Sequence, residues 1–114
     1  MPAERWPGEW LRGVLTLCVL RVVADGPTYG YAIAGRLQEA GLGEVKGGTL
    51  YPLLTRLETE GLVTSSWTAG AGIGEGEELA TGTAVARDLA ERSEQWQVFT
   101  QRAAGLLSSP SVPR

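Results

Sequence analysis

The residues best equipped to hold a ligand lie in one run, KGGTLYPLLTRLETEGLV, residues 46–63. Lys46, Thr49, Tyr51 and Arg56 offer an ammonium, two hydroxyls and a guanidinium along it. All four donate hydrogen bonds and two are cations. The chemistry on offer is therefore the grip of phosphates and base edges, not bond-making. Gly47 and Gly48 stand just before Thr49. Without side chains there, backbone can approach a ligand closely, and free N–H groups at a helix start favour an anion. Upstream, Tyr29 and Arg36 carry a further hydroxyl and a further cation that could join the same surface.

The rest of the inventory excludes more than it adds. The chain has no histidine, which removes the usual general base, a common metal ligand and every His-dependent triad. Its one cysteine, Cys18, sits in an apolar run and reads as a small buried hydrophobe. The pairs Glu58/Glu60 and Glu77/Glu78 read as solvated charges. GAGIGEG, residues 70–76, mimics a glycine-rich phosphate loop but lacks its lysine, and its acidic residues would repel phosphate. No enzyme, metal or cofactor is expected.

A length of 114 residues gives one small domain. Such a chain buries only about two-thirds of its surface, so an exposed apolar helix would gain by dimerising. Hydrophobic content of 43% and charged content of 20% are those of a globular protein. The net charge of −3 counts against nucleic-acid binding, which normally shows as a basic excess, unless one face is locally basic. No run of 18 uncharged apolar residues suggests a membrane helix, and a cytoplasmic location is expected.

The elements that must position these residues follow from periodicity and punctuation. Residues 9–24 are apolar nearly all round, the pattern of a helix buried on most sides. Asp25-Gly26-Pro27 stops it. Thr28 is placed to cap a second helix ending near Ala40, with Ile33 and Leu37 as core stripe and Gly30, Ala32 and Ala34 allowing close approach. A third helix, residues 48–60, turns Leu50, Leu53, Leu54 and Leu57 inward, with Pro52 in its opening turns, where missing N–H groups cost little. Residues 62–67 read as a strand. Residues 85–107 form a last helix with Val85, Leu89, Trp96, Phe99, Ala103 and Leu106 as an amphipathic seam.

Helix, short turn, helix, strand is the order of a winged helix-turn-helix, in which the leading end of the second helix enters the major groove. GTLYPLLTRLETEGLV, residues 48–63, and YGYAIAGRL, residues 29–37, resemble the linked motifs of the PadR family of transcriptional regulators. DGPTYGYAI, residues 25–33, matches that context, and the last helix with ERSEQW resembles the family's dimerisation helix. The resemblance implies a dimer that represses promoters, with an effector bound near the interface. The sequence departs from the family at Lys46, often a serine there, and in the wing. Instead of a basic-aromatic strand it has AGAGIGEGEELATGTAVA, residues 69–86, with no Lys or Arg between Arg56 and Arg87. A second wing strand at residues 77–81 would be short and poor in β-formers. A shifted reading frame across residues 69–83 would produce such a departure.

The expected fold is mainly α with a small β-wing. A winged helix-turn-helix spans residues 1–83, a dimerisation helix residues 84–107, and a disordered tail residues 108–114. Tyr29, Arg36, Lys46, Gly48, Thr49, Tyr51 and Arg56 are the expected DNA contacts. Trp10, Val14, Leu89, Trp96 and Phe99 are expected at the dimer interface or effector site. Two facing Trp96 indoles could bracket a flat apolar ligand, and Glu94 or Asp88 could draw a cationic one. The expected partners are double-stranded promoter DNA, a second copy of the chain and a small hydrophobic effector, with no membrane. The alternative is a dimeric ligand- or protein-binding module whose acidic wing has weakened its DNA binding.

Overall fold

A computed structural model describes residues 6–67 and 77–110. The expectations for the wing tip, for the first residues and for the end of the tail fall outside them. Helix α1 (Gly8–Ala24) starts at Pro7, whose carbonyl accepts from the N–H groups of Trp10 and Leu11. Glu9 in its first turn and Arg21 in its last suit the helix dipole. Its buried side chains, Leu15, Val19, Leu20, Val22 and Val23, recur at helical spacing. The helix stops where Gly26 takes φ 141°, a conformation open essentially to glycine alone.

Helix α2 (Gly30–Glu39) buries Ile33 and Leu37 and ends at Gly41, with φ 90°. Thr28 does not cap it; the helix begins two residues later, after an extended Tyr29. The backbone N–H and carbonyl of Thr28 are taken instead by Leu79, at 3.0 and 2.7 Å. Two backbone bonds in a ladder outweigh the single side-chain cap expected for this threonine.

Helix α3 (Gly47–Thr59) turns Leu50, Leu54 and Leu57 into the core and closes at Gly61. It begins one residue earlier than expected, so Pro52 is its sixth residue. Pro52 is therefore past the turn in which an N–H has no helical partner. It cannot donate to the carbonyl of Gly48, four residues back. Both residues are exposed, which lowers the cost of the missing bond.

Strands β1 (Thr64–Trp67) and β2 (Glu77–Ala80) pair antiparallel, from Thr64 opposite Ala80 to Trp67 opposite Glu77. The composition of β2 is poor for a strand, and its environment supplies what propensity lacks. Leu79 is buried in the core at 4% exposure, and its backbone is paired on the other side with Thr28. Helix α4 (Thr83–Ser108) then packs along α1, anchored by Leu89 with Val85 beside it. The most deeply buried side chains, Val19, Val23, Ile33, Leu50, Leu57 and Val63, come from α1, α2, α3 and the lead into β1. The core thus clamps α3 by its inner face. Residues 101–108 at the end of α4 are all exposed.

Candidate nucleic-acid interface

The inward leucines fix which way α3 faces. With Leu50, Leu54 and Leu57 in the core, Lys46, Gly47, Gly48, Thr49 and Tyr51 stand exposed together at its leading end. Lys46 holds the N-cap position in extended conformation and makes no capping bond through its side chain. Its carbonyl accepts from the N–H groups of Thr49 and Leu50, both at 2.9 Å. Gly47 and Gly48 retain the outward N–H groups of a helix start. A β-carbon on Gly48 would meet nothing within 4 Å, so its bareness serves the outer face rather than the packing.

Tyr51 leans back over the start of α2. A β-carbon on Gly30 would lie 2.9 Å from its ring, and one on Gly47 3.2 Å from it. The ring is seated between these two glycines while 55% of the residue stays exposed. Sequence reasoning marked Gly30 for close approach but not what approaches; the partner, Tyr51, is twenty-one positions along the chain and leaves no local signal.

The other expected contacts are distributed more widely. Tyr29 is half-buried, stacks on Tyr31 at 5.9 Å, and donates through its hydroxyl to Glu78 of β2 at 3.4 Å. The sequence left open which of Tyr29 and Tyr31 packs inward and which offers its hydroxyl outward; the exposed ring of the pair is Tyr31. Arg56 donates to the Thr16 hydroxyl at 3.0 Å, tying α3 to α1, and lies 3.9 Å from Glu60. Arg36 is not gathered with the leading end of α3. It pairs with Asp25 at 3.2 Å, as Arg21 also does. Hydrogen bonds from Arg21 and then Arg36 hold the Asp25 carboxyl below the usual range.

Arg36 borders a second feature, a groove of about 520 Å³ between α1, α2 and α4. Val14, Leu17 and Cys18 form one wall, Leu37 and Leu42 another, and Trp96 a third. Burial pushes the Cys18 thiol pKa up, keeping it a neutral lining group. Val14 and Trp96 fall where the effector site was expected. The other three residues of that set do not line the groove. Leu89 lies in the chain's own core at 4% exposure, because its place on the seam meets α1. Trp10 stacks on Trp6 at 6.4 Å, and Trp6 donates to the Gly41 carbonyl at 2.9 Å. Phe99 touches Trp96, with ring centres 5.6 Å apart, but points outward. The expected draw on a cation is also corrected. Asp88 is paired with Arg92 at 3.0 Å, and Glu94 faces a different hollow beside Phe99 and Arg102. The charged residues at the groove are Arg21, Arg36 and Glu39.

Residues 19–76 match the transcriptional regulator PadR-like family. Among solved structures, a PadR-like transcriptional regulator from Bacillus cereus is similar at 25% identity and a TM-score of 0.76, covering 90% of this chain and 99% of that one. A PadR family transcriptional regulator from Eggerthella lenta is 34% identical with a TM-score of 0.73, covering 90% and 88%. A transcriptional regulator from Streptococcus is 25% identical with a TM-score of 0.71, covering 88% and 98%. No curated protein matches the chain.

Proposed function

The chain belongs to the PadR-like family of transcriptional regulators, and from that premise we propose that it is a dimeric DNA-binding repressor released by a small, flat, apolar effector. Its neighbours are regulators of transcription and not enzymes. The orientation of α3 carries the reading of how it binds. Its leucines are sunk in the core while Lys46, Gly48, Thr49 and Tyr51 stand exposed at its leading end. That end fits a major groove, with outward N–H groups and Lys46 toward phosphate and the two hydroxyls toward base edges.

Dimerisation is supported by α4. Val98, Phe99, Leu106 and Leu107 lie exposed on a helix that buries little of itself against its own chain. A two-fold partner would cover such a face. The effector reading rests on the groove, whose apolar walls and Trp96 suit a planar ligand. Among the described residues, no helix is long and apolar enough to cross a membrane, and a cytoplasmic site of action fits a regulator of promoters.

A second reading, a ligand- or protein-binding module with weakened DNA binding, is favoured by one contact. Glu78 stands on the wing against Tyr29, where a phosphate-facing surface would be expected to be basic. Fluorescence anisotropy with the DNA upstream of the protein's own coding sequence separates the two. The repressor reading expects binding that weakens as salt rises. Absent or salt-independent binding up to micromolar protein overturns it in favour of the second.

A further inference from the structure

The seat of Tyr51 assigns work to a residue without a side chain. Gly30 is the first residue of α2, and nothing in its own backbone requires glycine. It is not among the positive-φ glycines, and alanine is the better helix former. What requires glycine is the neighbouring ring. A β-carbon on Gly30 would lie 2.9 Å from Cε1 of Tyr51, 3.2 Å from its hydroxyl oxygen and 3.3 Å from Cζ. The first of these is closer than non-bonded carbons come. On the other side, a β-carbon on Gly47 would lie 3.2 Å from Cδ2 and 3.3 Å from Cε2.

We propose that Gly30 is a positioning residue for DNA recognition, its bare backbone forming the seat that aims the Tyr51 hydroxyl from the leading end of α3. The inference rests on the reading of that end as the DNA-contacting one. A methyl group at position 30 meets the far end of a side chain that is 55% exposed and can swing out. The leucines of α3 face away from the seat and stay in the core. The damage is therefore confined to where the hydroxyl points and how firmly it is held. Recognition depends on such side chains being locked in place by their neighbours.

The test compares Gly30→Ala, Tyr51→Ala, the double variant and Gly35→Ala. Gly35 lies on the same helix, and a β-carbon there meets nothing within 4 Å. Binding is read by anisotropy on two fluorescein-labelled duplexes of equal length, the DNA upstream of the protein's own gene and a scrambled version. Gly30→Ala is expected to weaken binding to the first duplex roughly tenfold while sparing the second. It should leave the unfolding midpoint in place and add nothing in the Tyr51→Ala background. Gly35→Ala should change none of these. A DNA-free readout is the ¹⁹F resonance of 3-fluorotyrosyl protein, with the Tyr51 signal identified by its loss in Tyr51→Phe. Gly30→Ala should move that signal.

An unmoved signal, or an equal loss of affinity with and without Tyr51, overturns the inference. A native protein that treats both duplexes alike removes the DNA reading and this role together, and the fluorine signal then reports only whether the seat exists.

Discussion

Phe99 offers the sharpest test of whether two copies pair through α4. It is 62% exposed in the single chain, so its loss costs the isolated fold little. Fully burying a phenylalanine is worth about 1.5–3 kcal/mol, and the exposed fraction leaves roughly 1–2 kcal/mol to be gained at an interface. A two-fold interface uses the same residue twice, giving about 2–4 kcal/mol per dimer. At about 1.4 kcal/mol per tenfold, Phe99→Ala should raise the dimer dissociation constant roughly 30- to 700-fold. Sedimentation velocity from nanomolar to tens of micromolar protein measures this directly. The thermal midpoint of the native protein should also rise with concentration, and that of the variant should be lower at equal concentration. A variant that remains dimeric at the native midpoint concentration would refute the assignment of this face.

Other outcomes follow from other parts of the molecule. Leu79→Ala removes a buried anchor that joins wing to core and should cost about 2–5 kcal/mol in denaturant unfolding. Tyr51→Ala or Thr49→Ala should weaken specific DNA binding by about 1–3 kcal/mol, whereas Lys46→Ala should weaken binding to all duplexes alike and reduce the salt slope by about 1. Trp96→Ala should abolish tryptophan quenching by flat aromatic dyes in a protein that is still folded, since Trp96 forms a groove wall. The Asp25 carboxyl is held below its ordinary 3.8 by Arg21 and Arg36. Its contribution to stability is thus present above that value and lost as pH falls through the depressed one. Unfolding midpoints measured down an acid series should fall less steeply for Asp25→Asn.

What could be read beforehand depended on how local the determinants are. The helices, their order and the inward leucines of α3 follow from spacing and from Gly41 and Gly61, all signals carried within a few residues. Leu50, Leu54 and Leu57 could be assigned to the core, and with them the outward face of Lys46, Thr49 and Tyr51. Thr28 could not be read correctly, because its decisive partner, Leu79, is fifty-one positions away. Strand β2 could be located at residues 77–81 but its composition spoke against it, because burial of Leu79 and pairing on both sides, which outweigh weak propensity, are not local signals. Leu89 was misplaced by periodicity alone, and the ion pair of Arg36 with Asp25 left no periodic signal. Periodicity says that two residues share a helix face, not whether that face meets Asp25, its own core or a partner.

The electrostatics of the interface follow from the same placement. The chain carries a net charge of −3, and several of its cations already have partners. Arg21 and Arg36 share Asp25, Arg92 holds Asp88, and Arg56 lies between Thr16 and Glu60. Lys46, the chain's single lysine, stands at the start of α3, beside N–H groups that carry partial positive charge. On the proposed reading, attraction to phosphate at the interface then rests largely on that helix end. Such an interface gains less from counterion release and depends more on hydrogen-bond geometry. On that reading, the seat of one tyrosine matters more than it would on a strongly basic protein.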